Sequence, residues 1–133
     1  MCLPPREAYC RWVVNKNIEL RATWCGGCKC EIPWSVQFQR ANGARGLAVI
    51  GVSLDDGGWA VVRPFVADAK FPYCILLGNQ ATARTFGIGT MPDTFLIDRY
   101  GNLATAYRAG IVNKANIEAN IRRLLAEKPP PAQ

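Results

Sequence analysis

Histidine is absent from all 133 residues. That absence excludes imidazole-ligated zinc catalysis, Cys-His proteolysis and the Ser-His-Asp arrangement, because each needs a ring nitrogen to hold a metal or carry a proton. Long apolar runs are lacking too. The longest, Leu47 to Leu54, falls far short of the roughly 20 residues that a helix needs to cross a bilayer. The N-terminus also has no basic stretch followed by an apolar core, so the chain as written predicts neither membrane insertion nor an export signal. Charge is sparse, at 20% of residues, and the net +6 is scattered, with Arg122-Arg123 the only adjacent basic pair. With no aromatic-interleaved basic cluster, nucleic-acid binding is poorly supported.

What is present suits one globular domain with a real core, since half the residues are hydrophobic. Six cysteines do not by themselves name a redox compartment. Two of them form Cys25-Gly26-Gly27-Cys28, directly after Trp24, where a predicted strand gives way to a predicted helix. Two thiols so spaced can close a disulfide and open it again. The unpaired N–H groups and positive dipole end of a helix start lower the pKa of a cysteine placed there, and the thiolate is the attacking form. Taken alone, the four residues fit three chemistries: a redox pair, half of a zinc site, or one arm of a structural disulfide.

Along the chain, residues 1–15 have no clear period and read as an irregular lead, in which Trp12-Val13-Val14 suits a short strand. Ile18 to Thr23 reads as a strand with Ile18, Leu20 and Ala22 on one face. A helix is predicted from about Cys28 to Ala41, with Pro33 as a kink or restart. Leu47 to Leu54 has the continuous apolar character of a strand buried on both faces. Trp59 to Lys70 reads as a helix broken by Pro64, Cys74 to Leu77 as a strand, and Gln80 to Phe86 as a helix closed by Gly87. Thr94 to Asp98 and Leu103 to Arg108 flank a tight turn as antiparallel strands. A last helix is capped at Asn113, with Ile117, Ile121, Leu124 and Leu125 on its packing face, and Pro129-Pro130-Pro131 ends it. The reading is one domain over residues 16–128, an irregular lead before it and a Pro-rich tail over 129–133. Reactive groups in open α/β sheets tend to lie at the C-terminal ends of strands, where the CxxC falls.

The stretch from Ala22 to Cys28, then Glu31-Ile32-Pro33, Val49 to Asp55, Met91 to Asp98 and Gly101 occur in the order and spacing of the thioredoxin superfamily. The chain resembles its extracytoplasmic branch, the TlpA/ResA/CcmG-like thiol:disulfide oxidoreductases, over roughly residues 18–126. The resemblance implies a thioredoxin-like three-layer α/β/α sandwich with a central mixed sheet. It makes Cys25 the attacking thiol, Cys28 the resolving thiol, Trp24 a shield of the pair, and Pro92 a cis-proline facing the disulfide. The backbone at Met91 is then free to pair with an incoming peptide. Glu31 falls where cytochrome-c-maturation members place a thiol-tuning acid, and Glu19 where thioredoxins bury an acid that accepts the resolving thiol's proton. Each has a plainer reading, Glu31 as a solvated helix residue and Glu19 as a buried acid with a structural partner. The implied function is disulfide exchange with protein clients, as a monomer fed electrons by a redox partner, outside the cytoplasm, without bound cofactor or metal.

The chain also departs from that pattern. Gly27 replaces the usual proline, and Arg21 falls in a central strand where relatives carry an aromatic and where a charge needs a partner. Cys30 points to another side of the helix from Cys28 and reads as a small core-facing or surface thiol rather than a second resolving cysteine. Cys74 reads as a buried hydrophobe, and Cys2 and Cys10 as a bridge or as bystanders. Trp59, Phe65, Phe86 and Phe95 read as core. Two rival functions remain open: an AhpC/TSA-type thiol peroxidase, whose nucleophile usually follows a Pro-x-x-x-Thr-x-x-Cys pattern not found here, and a metal-binding or chaperone-like module using the same cysteines.

Overall fold

The computed structural model describes residues 15–108 and 113–127. Its elements run β1 (Asn15–Arg21), α1 (Gly26–Asn42), β2 (Leu47–Ser53), α2 (Trp59–Ala69), β3 (Cys74–Leu77), α3 (Gln80–Phe86), β4 (Asp93–Ile97), β5 (Leu103–Tyr107) and α4 (Lys114–Ala126). The five strands form one sheet in the order β3-β2-β1-β4-β5. β1, β2 and β3 are mutually parallel, as helical crossovers require. β4 and β5 run antiparallel and add the hairpin side. The mixed sheet and the helices on both faces make the three-layer α/β/α arrangement expected from the sequence.

Register decides which residues face which layer. Glu19 lies opposite Gly51 and Thr94, and Gly51 opposite Ile75, so one sheet face carries Glu19, Val49, Ile75 and Leu96. On that face Leu47, Val49, Ile75, Leu96 and Tyr107 pack with Phe38 of α1, Val62 of α2 and Ile117, Ile121 and Leu124 of α4. The opposite face holds Phe95, which meets Phe86 of α3 with ring centroids 5.2 Å apart. Trp59 and Phe65 are partly buried against the main core.

Local signals explain the boundaries. Asn79 caps α3 reciprocally with Thr82, and Asn113 caps α4 by accepting from the N–H of Asn116. Gly87 closes α3 at φ 65°, a left-handed conformation suited to glycine. The β4–β5 turn is organised by Asp98, whose carboxylate accepts from the N–H groups of Tyr100 and Asn102, each at 2.9 Å.

Several expectations need correction. Neither proline breaks its helix: α1 runs through Pro33 and α2 through Pro64 without interruption. The carbonyls that lose a donor belong to Lys29 and Ala60, four residues earlier and both exposed, so solvent can satisfy them. β1 begins three residues earlier than predicted and ends at Arg21. β2 is not sealed on both faces, as Ile50 and Val52 are only half-buried. The expected strand at Trp12-Val13-Val14 and the Pro-rich tail lie outside the described residues. No helix among the described residues is long and apolar enough to cross a membrane.

Candidate active site

β1 delivers the chain to the top of the sheet, and the turn after it is fixed by one carboxylate. Asp55, buried just beyond β2, accepts from the backbone N–H of Thr23 at 3.0 and 3.1 Å, from the Thr23 hydroxyl at 2.6 Å and from the Ser53 hydroxyl at 2.6 Å. This brace two residues before Cys25 holds the start of α1 against the end of β2. The sequence reading placed Asp55 only at the end of a motif and missed this role.

Cys25 occupies the N-cap of α1 in extended conformation, and its sulfur accepts from the N–H of Cys28 at 3.1 Å. Cys25 and Cys28 are disulfide-bonded, with Cα atoms 5.2 Å apart. Both are buried, and with Ala22 they form a small apolar cluster against which Met91 packs. An N–H directed at the sulfur, in a helix start without acidic residues, favours the thiolate once the bond opens.

The Met91–Pro92 bond is cis, as expected. Pro92 faces the CxxC loop: a Cβ placed on Gly27 would come 3.3 Å from Pro92 Cδ. Trp24, 70% exposed, lines an open groove with Met91, Leu54, Ile88 and Asp56. The structure thus brings Trp24, Cys25, Cys28, Met91 and Pro92 to one end of the sheet.

The two acids lie in different surroundings. Glu19 is buried on the three-helix face of β1, accepts from Ser35 Oγ of α1 and from Asn17 Nδ2 at 3.2 Å, and is ion-paired with Arg21. Glu31 is half-buried on α1, one turn beyond Cys28. Burial holds its carboxyl above the usual glutamate range; Arg21 pulls it back down, and Asp93 pushes it further up. Asp93, next to Pro92, is fully buried and paired with Arg108 at 2.6 Å. Sequence reasoning missed Asp93 and Arg108, though an acid directly after a cis-proline was a visible signal.

Among the remaining described cysteines, Cys30 is exposed and free. Cys74 is buried but disulfide-bonded, which corrects its reading as a plain apolar residue. Cys2 and Cys10 lie outside the described residues. No group of three or more metal-ligating side chains is found among the described residues.

Residues 18–106 match the AhpC/TSA family. The chain belongs to that family. Within the AhpC/TSA family its similarities run to thiol:disulfide proteins. It is 30% identical over 104 residues to the thiol-disulfide oxidoreductase ResA of Bacillus anthracis, an alignment covering 77% of this chain and 58% of that protein. The ResA of Geobacillus thermodenitrificans is 23% identical over 103 residues, with the same coverage. The chain thus spans a little over half the length of these relatives. Among solved structures, a thiol:disulfide interchange protein DsbE of Chlorobium tepidum superimposes with a TM-score of 0.78 at 28% identity, covering 85% of this chain and 81% of that one. StoA of Bacillus subtilis shares the fold, with a TM-score of 0.69 at 20% identity and 84% of each chain covered.

Proposed function

We propose that this AhpC/TSA-family chain is a thiol:disulfide oxidoreductase in which Cys25 attacks a protein disulfide and Cys28 resolves the mixed disulfide. The observation that carries the reading is the Cys25–Cys28 disulfide at the N-terminus of α1, facing the cis-proline Pro92. A client strand docks along Met91, whose following residue has no N–H to compete for pairing, and Trp24 borders the same groove. The chain acts as a reductant of protein disulfides, fed electrons by a redox partner protein, and works outside the cytoplasm, with cytochrome c maturation as its setting. The similarity to ResA and DsbE proteins supports this choice of reaction.

A thiol peroxidase is the rival that the family name raises. Against it, the threonine nearest the nucleophile has its hydroxyl committed elsewhere: Thr23 donates it to Asp55 at 2.6 Å. Insulin-disulfide reduction with non-reducing mass analysis tests the proposal. Cys28→Ser should accumulate a covalent mixed disulfide, Cys25→Ser should trap and reduce nothing, and Cys30→Ser should retain most activity. Trapping by Cys25→Ser would reverse the two roles, and peroxide consumption without insulin reduction would favour the rival.

A further inference from the structure

The central strand of the sheet turns polar residues into the thickest layer of the core. Asn17, Glu19 and Arg21 alternate along β1 on the face covered by α1, α2 and α4, and all three are buried. Gly51 lies directly opposite Glu19 on β2, and a Cβ there would come 2.7 Å from Ile75 Cδ1, so Ile75 of the same face fills the space a side chain would need. The guanidinium of Arg21 lies over the Tyr73 ring, 6.0 Å from its centroid.

Glu19 is fully committed within this layer. One oxygen accepts from Ser35 and Asn17, and the other faces Arg21. Each other acid near α1 has its own fixed partners, Asp55 in the Thr23 and Ser53 donors and Asp93 in Arg108. Glu31 is half-exposed beside the CxxC helix start, and Arg21 acts on it only through the field.

We propose that Arg21 is a positioning residue of the dithiol chemistry: it holds Glu19 as a permanent carboxylate, removes it from proton transfer, and so leaves that duty to Glu31. The inference rests on the oxidoreductase reading. In the reductive half-cycle the Cys25 thiolate attacks the client disulfide, a Cys25–client bond forms, and one client sulfur leaves as thiolate. The Cys28 thiol then gives its proton to the Glu31 carboxylate. Its thiolate attacks Cys25, the internal disulfide closes, and the second client sulfur leaves. The two client thiolates take up two protons, one from Glu31 and one from solvent. Glu19 keeps its charge throughout.

The test is carboxyl-carbon NMR of glutamate-labelled protein, followed across pH in both redox states. The charged groups that can move the signal are Arg21 and Glu19 on β1, Glu31 on α1, Tyr73 before β3, and Asp55, which borders a small cavity with Arg21. In the wild type the Glu19 signal should stay flat through its normal titration range and on reduction of the disulfide. In Arg21→Met it should titrate about one pH unit or more above the usual glutamate range, because burial without a counter-charge favours the neutral acid. The pH profile of Cys25 alkylation should then gain an inflection that the Arg21→Met/Glu19→Gln double variant loses. The double variant leaves neither charge buried alone and also assigns the signal. Titration of Glu19 in the wild type near the pH of thiol exchange, or a flat Glu19 signal in Arg21→Met, would overturn the proposal. Failure of the wild type to reduce insulin would instead remove the oxidoreductase reading, whatever the Glu19 signal shows.

Discussion

One nitrogen of Arg108 lies 2.6 Å from the Asp93 carboxylate and 3.3 Å from the carbonyl of Gly87. A single guanidinium therefore ties together both ends of the segment 87–93, which carries Met91 and Pro92. The same guanidinium lies over Phe95, 5.4 Å from the ring centroid. Arg108→Met is expected to loosen this segment, where we propose that a client strand docks, and to strand a buried carboxylate. Because Arg108 is itself 47% exposed, the loss should be about 1–2 kcal/mol, below the 3–5 typical of a fully buried pair. Urea unfolding gives the stability, and a rise in KM for a protein client with little change in alkylation of Cys25 gives the docking effect. An unchanged KM would detach Arg108 from client binding.

Asp55→Ala removes the acceptor for four hydrogen-bond contacts from Thr23 and Ser53. Losing charge-assisted bonds from a buried site should destabilise the fold by about 2–3 kcal/mol. The turn before Cys25 loses its brace as well, so amide hydrogen exchange at the first turn of α1 should rise before that in β2. Uniform protection across both elements would show that the brace matters only to global stability.

Glu31 predicts a pH dependence with a definite sign. Its folded-state pKa is raised, chiefly by burial, so the folded state binds the proton more tightly than the unfolded chain does. The stabilisation is present in full below the ordinary glutamate range and is lost as pH rises through the raised folded value. Glu31→Gln should flatten that slope and lie closer to wild type in acid than at neutral pH. Thermal unfolding of both proteins across pH checks it, and parallel curves would contradict it. The variant should also ease formation of the Cys25 thiolate at neutral pH, because a nearby negative charge has gone.

Gly27→Ala places a methyl group 3.3 Å from Pro92 Cδ, tighter than ordinary contact. The change in stability should stay within about 1 kcal/mol, since the substitution also restricts the unfolded chain. Client reduction should slow through weaker binding, with thiol titration preserved. Equal kcat and KM in both proteins would show that the docking segment yields without consequence.

Much of the frame was visible in residue order. Gly87 and Asn113 marked helix ends that the structure keeps; the Cys25–Cys28 pair was recognisable because its spacing carries chemistry, and Met91-Pro92 through the family resemblance. β1 was harder. Its Ile18-Leu20 alternation announces one apolar face, and by periodicity alone Asn15, Asn17, Glu19 and Arg21 mark the other as solvated; only the family resemblance placed Glu19 and Arg21 in a buried central strand. The structure buries all four, because a parallel strand on one side and an antiparallel strand on the other leave β1 no edge, and three helices cover that face. Period-two patterning reports polarity, not position in the sheet. The braces by Asp55 and Arg108 were illegible for a related reason: each joins residues 32 or 15 positions apart, and only the folded topology brings the partners together.

The N–H of Cys28 aimed at the sulfur of Cys25 also makes the redox couple a matter of folding energetics. Oxidised and reduced forms, folded and unfolded, close a thermodynamic square. Whatever the helix start contributes to the folded reduced form, beyond what it gives the disulfide, must reappear as an equal displacement of the reduction potential. For this two-electron couple about 1.4 kcal/mol corresponds to roughly 30 mV. Calorimetry of the two forms, with no electrode, thus measures how strongly the first turn of α1 pulls electrons onto its cysteines.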